Sequence, residues 1–275
     1  METRGIVLPD YSVLMSVYKG EKPEYLRACI ESMLGQSFVT NDFVLVCDGP
    51  LTPALDEVIE GYGERLDVLR LPVNKGPGFA RNHALSHCRC ELVAGMDSDD
   101  ISLPDRCEKQ LAAFERDSEL AVVSGAIEEF NEDPNEPFAV RRVPLTHEEI
   151  LQYSKKRIPF NNVTAMFKKA AVEAVGGYNA TLRLFEDYDL WIRTLKSGVK
   201  TANLPDVLVK VRSTPAQLKR RGGRVYAKSM MRFRRQLLKT GWISRREYVM
   251  SAYPHYIVCM SPNGVRRLVY KIIRK

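Results

Sequence analysis

The residues with evident chemical capacity in this 275-residue sequence fall into three acidic clusters and one glycine-rich basic segment. Asp97-Ser98-Asp99-Asp100 sets three carboxylates within four positions. Such charges repel one another unless a cation or hydrogen-bond donors neutralise them. Their hard oxygens suit Mn2+ or Mg2+, with the other coordination positions left to phosphate oxygens and water. The competing reading is a solvated Asx turn leading into the next helix. Asp105, after Pro104, is the better capping acid, which frees Asp97 and Asp99 for a ligand and leaves Asp100 to help start that helix. Asp48-Gly49-Pro50 is either a tight turn or a carboxylate placed to accept a hydrogen bond from a nucleobase N–H. In Asn74-Lys75-Gly76-Pro77-Gly78-Phe79-Ala80-Arg81-Asn82, two glycines allow close backbone approach to a diphosphate, and Lys75 and Arg81 add positive charge. The third acidic group, Phe185-Glu186-Asp187-Tyr188-Asp189, suits the first turn of a helix, where the dipole stabilises acids. A carboxylate there that faced the metal site could instead take a proton from an incoming hydroxyl.

Several familiar chemistries are missing. The glycine segment lacks the third glycine of a dinucleotide fingerprint and follows the third strand, not the first. No Gly-Lys-Ser/Thr phosphate loop occurs. His83, His87, His147 and His255 form no ligand spacing, and Cys88-Arg89-Cys90 lacks the spacing and second pair of a zinc site. These omissions argue against dehydrogenases and P-loop enzymes.

The elements that must carry these residues alternate along the first half. Nearly continuous apolar runs at Ser12–Val17, Phe43–Cys47, Val68–Leu71, Glu91–Met96 and Leu120–Ser124 suit strands covered on both faces of a parallel sheet. Amphipathic helices are expected from Pro23, over Ala54–Tyr62, over Phe79–His87 and over Pro104–Phe114. Strand–helix alternation with short connections predicts a doubly wound, mostly parallel α/β sheet flanked by helices. Ligands bind beyond the carboxyl ends of such strands. Tyr18-Lys19-Gly20, Asp48 and Asp97–Asp100 follow three of the first four strands, so they are expected along one rim. After residue 125 the alternation weakens, with an acidic loop at Glu128–Pro137, strands at Phe138–Val143 and Val163–Lys168, and a helix at Glu186–Lys196.

Charge divides the chain. Residues 211–275 hold seventeen Lys and Arg against one acid, Glu247, a balance of +16, while residues 1–210 hold 24 basic and 33 acidic residues, or −9. The expected organisation is a catalytic domain over 1–210, with a nucleotide-binding half at 1–125 and an acceptor-side half at 126–210, followed by a basic helical region over 211–275. Leu218–Trp242 and Val265–Lys275 set apolar residues beside Lys and Arg. That composition suits either an interfacial helix on anionic lipid or a helix packed on the catalytic domain. No nucleic-acid-binding motif accompanies the charge, so no nucleic-acid partner is expected. Met1 to Tyr11 has no apolar run of signal-peptide length, and no stretch approaches a membrane span. The six scattered cysteines read as reduced cytosolic thiols.

In these motifs the sequence resembles the family 2 glycosyltransferases, particularly bacterial enzymes that build capsular, exopolysaccharide and lipopolysaccharide chains. Five segments carry the likeness in the family's order, over roughly residues 10–210. They are Ser12–Tyr18, Leu45–Pro50, Asn74-Lys75-Gly76 through Arg81-Asn82, Met96–Asp100 and Phe185–Trp191. The resemblance implies a GT-A nucleotide-diphospho-sugar transferase fold and inversion at the anomeric carbon. It places Asp48 on the base, usually uracil, and gives Asp97 and Asp99 the ribose and the metal–diphosphate. Val17, Tyr18, Lys75, Gly76, Arg81 and Ser98 would complete the nucleotide-sugar site. Asp187 becomes the general base, with Glu186 or Asp189 as fallback and Asn162 on the acceptor side. Many relatives have a second carboxylate where Cys47 stands and a histidine near Asn162. The implied function is metal-dependent transfer of a sugar, in cell-surface polysaccharide biosynthesis, from a nucleotide-diphosphate donor (a UDP-sugar) to a hydroxyl of a saccharide or polyprenyl-diphosphate-linked saccharide. The enzyme would be cytoplasmic, peripheral on the inner face of the cell membrane. Two alternatives stand beside it. A sugar-phosphate nucleotidyltransferase usually carries a Gly-rich, Arg-containing loop where this chain has Tyr18-Lys19-Gly20-Glu21-Lys22. A non-catalytic, membrane-tethered saccharide-binding module would not need Asp97, Asp99 and Asp187 together.

Overall fold

The computed structural model describes residues 8–214, 222–262, 264–266 and 269. The first four strands, β1 (Tyr11–Val17), β2 (Asp42–Cys47), β3 (Asp67–Arg70) and β4 (Leu92–Asp97), run parallel in the spatial order β3-β2-β1-β4. Their register aligns Val17 with Cys47 and Ser16 with Asp97, so the residues that follow β1, β2 and β4 emerge along one edge. Both faces of these strands are covered, which is why β1 and β2 are nearly continuous apolar runs rather than alternating ones.

Helices α1 (Pro23–Leu34), α2 (Pro53–Glu60) and α3 (Pro77–His87) each begin on proline, where the missing N–H would have no helical partner. Alternate sheet residues meet different helices. Val13, Met15, Phe43 and Leu45 pack with α1, α2 and α4 (Arg106–Arg116). Leu14, Val44, Val46 and Val93 pack with α3 and with α7 (Glu186–Lys196), whose Trp191 is fully buried.

Among the described residues nine strands form one sheet. It continues beyond β4 through β8 (Met166–Lys168), β6 (Leu120–Phe130), β9 (Lys200–Arg212) and β5 (Ile101–Ser102), with β7 (Ala139–Arg141) beside β6. β8, β5 and β7 are antiparallel to their neighbours, leaving six strands in a common direction, so the sheet is mainly parallel as expected. Two short helices, α5 (His147–Ser154) and α6 (Lys169–Ala174), lie in the same stretch of the chain, between β7 and α7.

Three expectations need correction. The stretch at Val163–Lys168 is strand only over Met166–Lys168, because Asn162–Thr164 forms a 3-10 turn. β9 was not expected, since its apolar residues are interrupted by Pro205 and Asp206; it pairs with β6 through register shifts near Gly125 and Ala126. It also runs to Arg212, so a boundary at 210 cuts a sheet strand.

Two long helices follow, α8 (Gly223–Lys239) and α9 (Arg245–Met260). Phe233 and Leu237 of α8 pack on Tyr188 and Ile192 of α7, so this part of the basic region is packed on the catalytic domain. Of the expected terminal helix over Val265–Lys275, residues 267, 268 and 270–275 lie outside the described residues. Among the described residues no helix is long and apolar enough to cross a membrane. All six cysteines are free.

Candidate active site

The site is organised around one guanidinium. Arg81, on α3, donates from Nη2 to Asp97 Oδ1 at 2.8 Å and from Nη1 to Glu186 Oε1 at 3.1 Å. It thereby ties the end of β4 to the start of α7, 89 positions later in sequence. Burial opposes its charge, but Asp97, the Tyr178 ring oxygen, Glu186 and Asp187 together hold it more firmly protonated than an ordinary arginine.

Beyond Asp97 the acidic cluster splits by role. Ser98 donates its hydroxyl to Glu21 Oε2 at 2.9 Å, which fastens the loop after β1 over the cluster. Burial, with Asp97 and Glu21 nearby, pushes the Asp99 carboxyl up to about 7. Asp100 is almost fully buried and accepts the backbone N–H of Arg212 at 2.8 Å. It anchors the end of β9 and does not start a helix; α4 begins only at Arg106. Asp105 precedes that helix without a side-chain capping bond, its carboxylate pairing instead with Lys109 at 2.8 Å. Arg212 donates from Nε to the Asp99 carbonyl at 3.2 Å and lies over the rings of Tyr25 and Phe130 at 3.7 and 4.6 Å.

Asp97, whose Oδ1 is paired with Arg81, and Asp99 would be the carboxylates to hold a divalent cation. Hard oxygens are crowded here with Glu21, and the raised Asp99 carboxyl marks a place where added positive charge would be favourable. Among the described residues no three His, Cys, Asp or Glu side chains form a cage by themselves. A cation would therefore need ligand oxygens as well.

Asp48 differs from expectation. Its carboxylate accepts the backbone N–H groups of Lys75 at 2.7 Å and Gly76 at 3.0 Å, and Asn74 Nδ2 donates to its carbonyl at 3.1 Å. With 6% exposure it clamps the 74–76 loop to the end of β2, and a base contact would have to use a remaining lone pair. Gly49 (φ 86°) makes the clamp possible, since a Cβ there would stand 2.6 Å from the Asn74 nitrogen. Gly76 (φ 92°) opens α3 in a conformation that favours glycine. Lys75 Nζ sits 4.2 Å over the Phe79 ring. Val17 contributes no side chain to the rim: it is buried in the core, and its carbonyl accepts the Asp48 N–H at 2.7 Å. Tyr18 is exposed, with its ring folded against Gly20.

At the start of α7, Asp187 is half-buried and its Oδ1 accepts the N–H of Tyr188 at 2.7 Å. Burial raises its carboxyl above the usual range, while Arg81 and that N–H pull it back. Glu186 is raised by burial and then by Asp187, with Arg81 opposing. Asp189 cannot serve as a fallback base in this geometry. Two residues along a helix turn it by about 200° from Asp187, and its carboxylate is buried against Arg193 Nε at 2.8 Å and Gln236 Nε2 at 3.3 Å. Asn162 sits in the 3-10 turn, its Oδ1 buried without a hydrogen-bond partner.

Two contributors escaped the sequence reading, and a third had no role assigned to it. Glu21 and Arg212 lie outside the acidic motifs, and Arg212 was counted with the basic tail. Phe185, just before α7, is the one non-glycine residue with positive φ among the described residues (66°). Its ring stacks on Phe233 of α8 at 5.4 Å and meets Tyr226 at 5.3 Å. It opens the Phe185–Trp191 segment that carries the family resemblance, but its conformation has no signal in the sequence.

Comparisons with known proteins identify the family and the fold. The model of "Glycosyl transferase family 2" matches residues 12–176. The amylovoran biosynthesis glycosyltransferase AmsE of Erwinia amylovora is 38% identical over 270 residues, covering 96% of this chain and 99% of its own. An Escherichia coli UDP-Gal:alpha-D-GlcNAc-diphosphoundecaprenol beta-1,3-galactosyltransferase is 32% identical over 270 residues, covering 97% and 98%. Among solved structures, residues 1–349 of S. aureus TarS superpose with a TM-score of 0.64 at 21% identity, covering 90% of this chain and 70% of that one. TarS 1–349 is also solved with UDP and with UDP-GlcNAc. The strand order, the rim and the TarS likeness make the fold the GT-A type, and the extent of the family match shows that the chain belongs to glycosyl transferase family 2.

Proposed function

We propose that this chain transfers a sugar, with inversion, from a uridine diphosphate donor to a hydroxyl of a saccharide carried on a polyprenyl diphosphate. The observation that carries the reading is the Arg81 bridge, which holds the donor-side Asp97 and the base-side Glu186-Asp187 within the span of one guanidinium. The donor class is supported by the TarS complexes with UDP and UDP-GlcNAc, and the acceptor class by the printed activity of the Escherichia coli relative. Work in polysaccharide assembly is supported by the likeness to AmsE.

Asp97 and Asp99 would hold Mn2+ or Mg2+, which when bound neutralises charge on the diphosphate. The chain's own residues do the rest. Lys75 and Arg81 place positive charge beside the leaving group. Asp48 keeps the 74–76 loop against the rim, and Ser98 with Glu21 keeps the loop after β1 closed over it. Asp187, with its carboxyl raised by burial, is suited to take the acceptor hydroxyl's proton. As that proton moves, the acceptor oxygen bonds to the anomeric carbon and the bond to the diphosphate oxygen breaks on the opposite face. Such an acceptor resides in a membrane, and the basic region 211–275 would hold the enzyme on its anionic inner face. A nucleotidyltransferase reading falls with the family assignment.

Release of UDP from UDP-sugars, followed with Mn2+ titration and a polyprenyl-linked acceptor, tests the proposal. Asp99→Asn should lower transfer by about 10² to 10³ and flatten the cation dependence. Unchanged rate and unchanged cation dependence in that variant would sink it.

A further inference from the structure

Helices α8 and α9 turn opposite kinds of face outward. On α8, Arg224, Lys228, Arg232, Arg235 and Lys239 recur every three or four residues, and all are exposed. They lie opposite the buried face formed by Ala227, Met230, Phe233 and Leu237. On α9 the outward stripe is apolar. Val249, Met250, Tyr253, Ile257 and Met260 share one side of the helix, with Met250 70% and Ile257 66% exposed, while Ala252 and Cys259 face inward. Large apolar side chains uncovered at helical spacing mark a surface built for a partner.

Charge identifies that partner. Between residues 222 and 262 the single acid is Glu247. It is occupied in a capping box with Ser244 and faces Lys155 at 3.6 Å. Arg245 and Arg246 add exposed cations at the start of α9 itself. A second copy of the chain meeting this face about a twofold axis would bring cations against cations. An anionic bilayer offers a match to each stripe, headgroups for the cations and the acyl boundary for the apolar side chains. Neither helix is long and apolar enough to span, so the hairpin would lie in the plane of the interface.

We propose that α8 and α9 form an interfacial docking surface for an anionic lipid bilayer, with the Val249–Met260 stripe entering the acyl boundary and the α8 cations meeting the headgroups. This inference rests on the membrane placement proposed above and assigns it to a surface. Because the inner face of α8 stacks on Phe185 ahead of α7, docking would set α8 between the lipid and the Glu186–Asp187 end of the site. A lipid-linked acceptor would enter from that side.

The test is co-sedimentation of the full chain with vesicles of phosphatidylglycerol and phosphatidylethanolamine, against phosphatidylcholine alone, at low and high salt. Two variants are compared, Met250→Asp/Ile257→Asp and Arg224→Glu/Arg232→Glu/Arg235→Glu, with melting temperature and light scattering as controls. The native chain should bind the anionic vesicles only. The apolar-stripe variant should lose at least about tenfold in affinity at every salt, and the charge variant should lose the salt-sensitive part. No binding by the native chain at low salt would remove the membrane placement itself. Native binding with both folded variants binding equally well would overturn the surface assignment alone. A native dimer that Met250→Asp/Ile257→Asp converts to monomers, without change in vesicle binding, would give the stripe to a second copy and also overturn it.

Discussion

On the proposed donor side, Asp48 and Asp97 stand at the ends of parallel strands, and the ladder that aligns Val17 with Cys47 and Ser16 with Asp97 sets their positions. On the proposed base side, Glu186 and Asp187 head a helix entered through a left-handed Phe185, and rings from α8, about forty to fifty residues further on in sequence, cover that residue. The first arrangement rests on main-chain hydrogen bonds and tight glycine turns. The second rests on side-chain packing from a remote helix, and a left-handed non-glycine conformation costs about 1–3 kcal/mol unless its surroundings hold it. The donor rim should therefore tolerate change in the C-terminal region, whereas the base should not.

Separating donor binding from transfer sharpens this comparison most. Asp187→Asn should reduce transfer by about 10³ while leaving UDP-sugar affinity within about twofold; a large loss of affinity would place Asp187 on the donor side. Phe233→Ala removes the ring stacked on Phe185. It should destabilise the fold by about 3 kcal/mol and lower kcat by roughly tenfold, again with donor affinity nearly unchanged. Isothermal titration beside initial rates distinguishes these cases, and a parallel fall in both would break the division between the two sides.

Asp48→Ala probes the other half. It frees the N–H groups of Lys75 and Gly76, so UDP affinity should weaken about tenfold with little change in kcat. Asp189→Asn tests the division within α7 itself. Its loss should appear as about 1–2 kcal/mol of stability through the Arg193 and Gln236 contacts, with activity within about twofold.

A pH effect on stability concerns Asp99 in the cation-free protein. In the folded chain its carboxyl titrates near 7, pushed up by burial and neighbouring acids, against roughly 4 in the unfolded chain. Between those values the folded state binds more protons, so stability without divalent cation should fall as pH rises through that window. The melting temperature of cation-free protein should drop between about pH 5 and pH 7.5, and Asp99→Asn should flatten the slope. An unchanged slope would mean that other groups set it.

Much of this was legible in the linear sequence because it is locally encoded. Apolar runs placed β1 to β4, and Leu190, Trp191 and Leu195 after Glu186-Asp187 matched the bounds of α7 at both ends. The polar residues after strands one, two and four had to share a rim, since parallel strands share an end. Tertiary structure alone decided what those carboxylates meet. Asp48 is a loop clamp because the 74–76 backbone folds against it, and Asp100 is an anchor because a strand 112 positions later ends there. Asp189 faces Gln236 rather than the site because α8 returns over α7. The same return divided the basic region into a packed helix and a helix with its apolar side outward. Periodicity reports which side of an element is apolar; only the closing of long loops determines what that side meets.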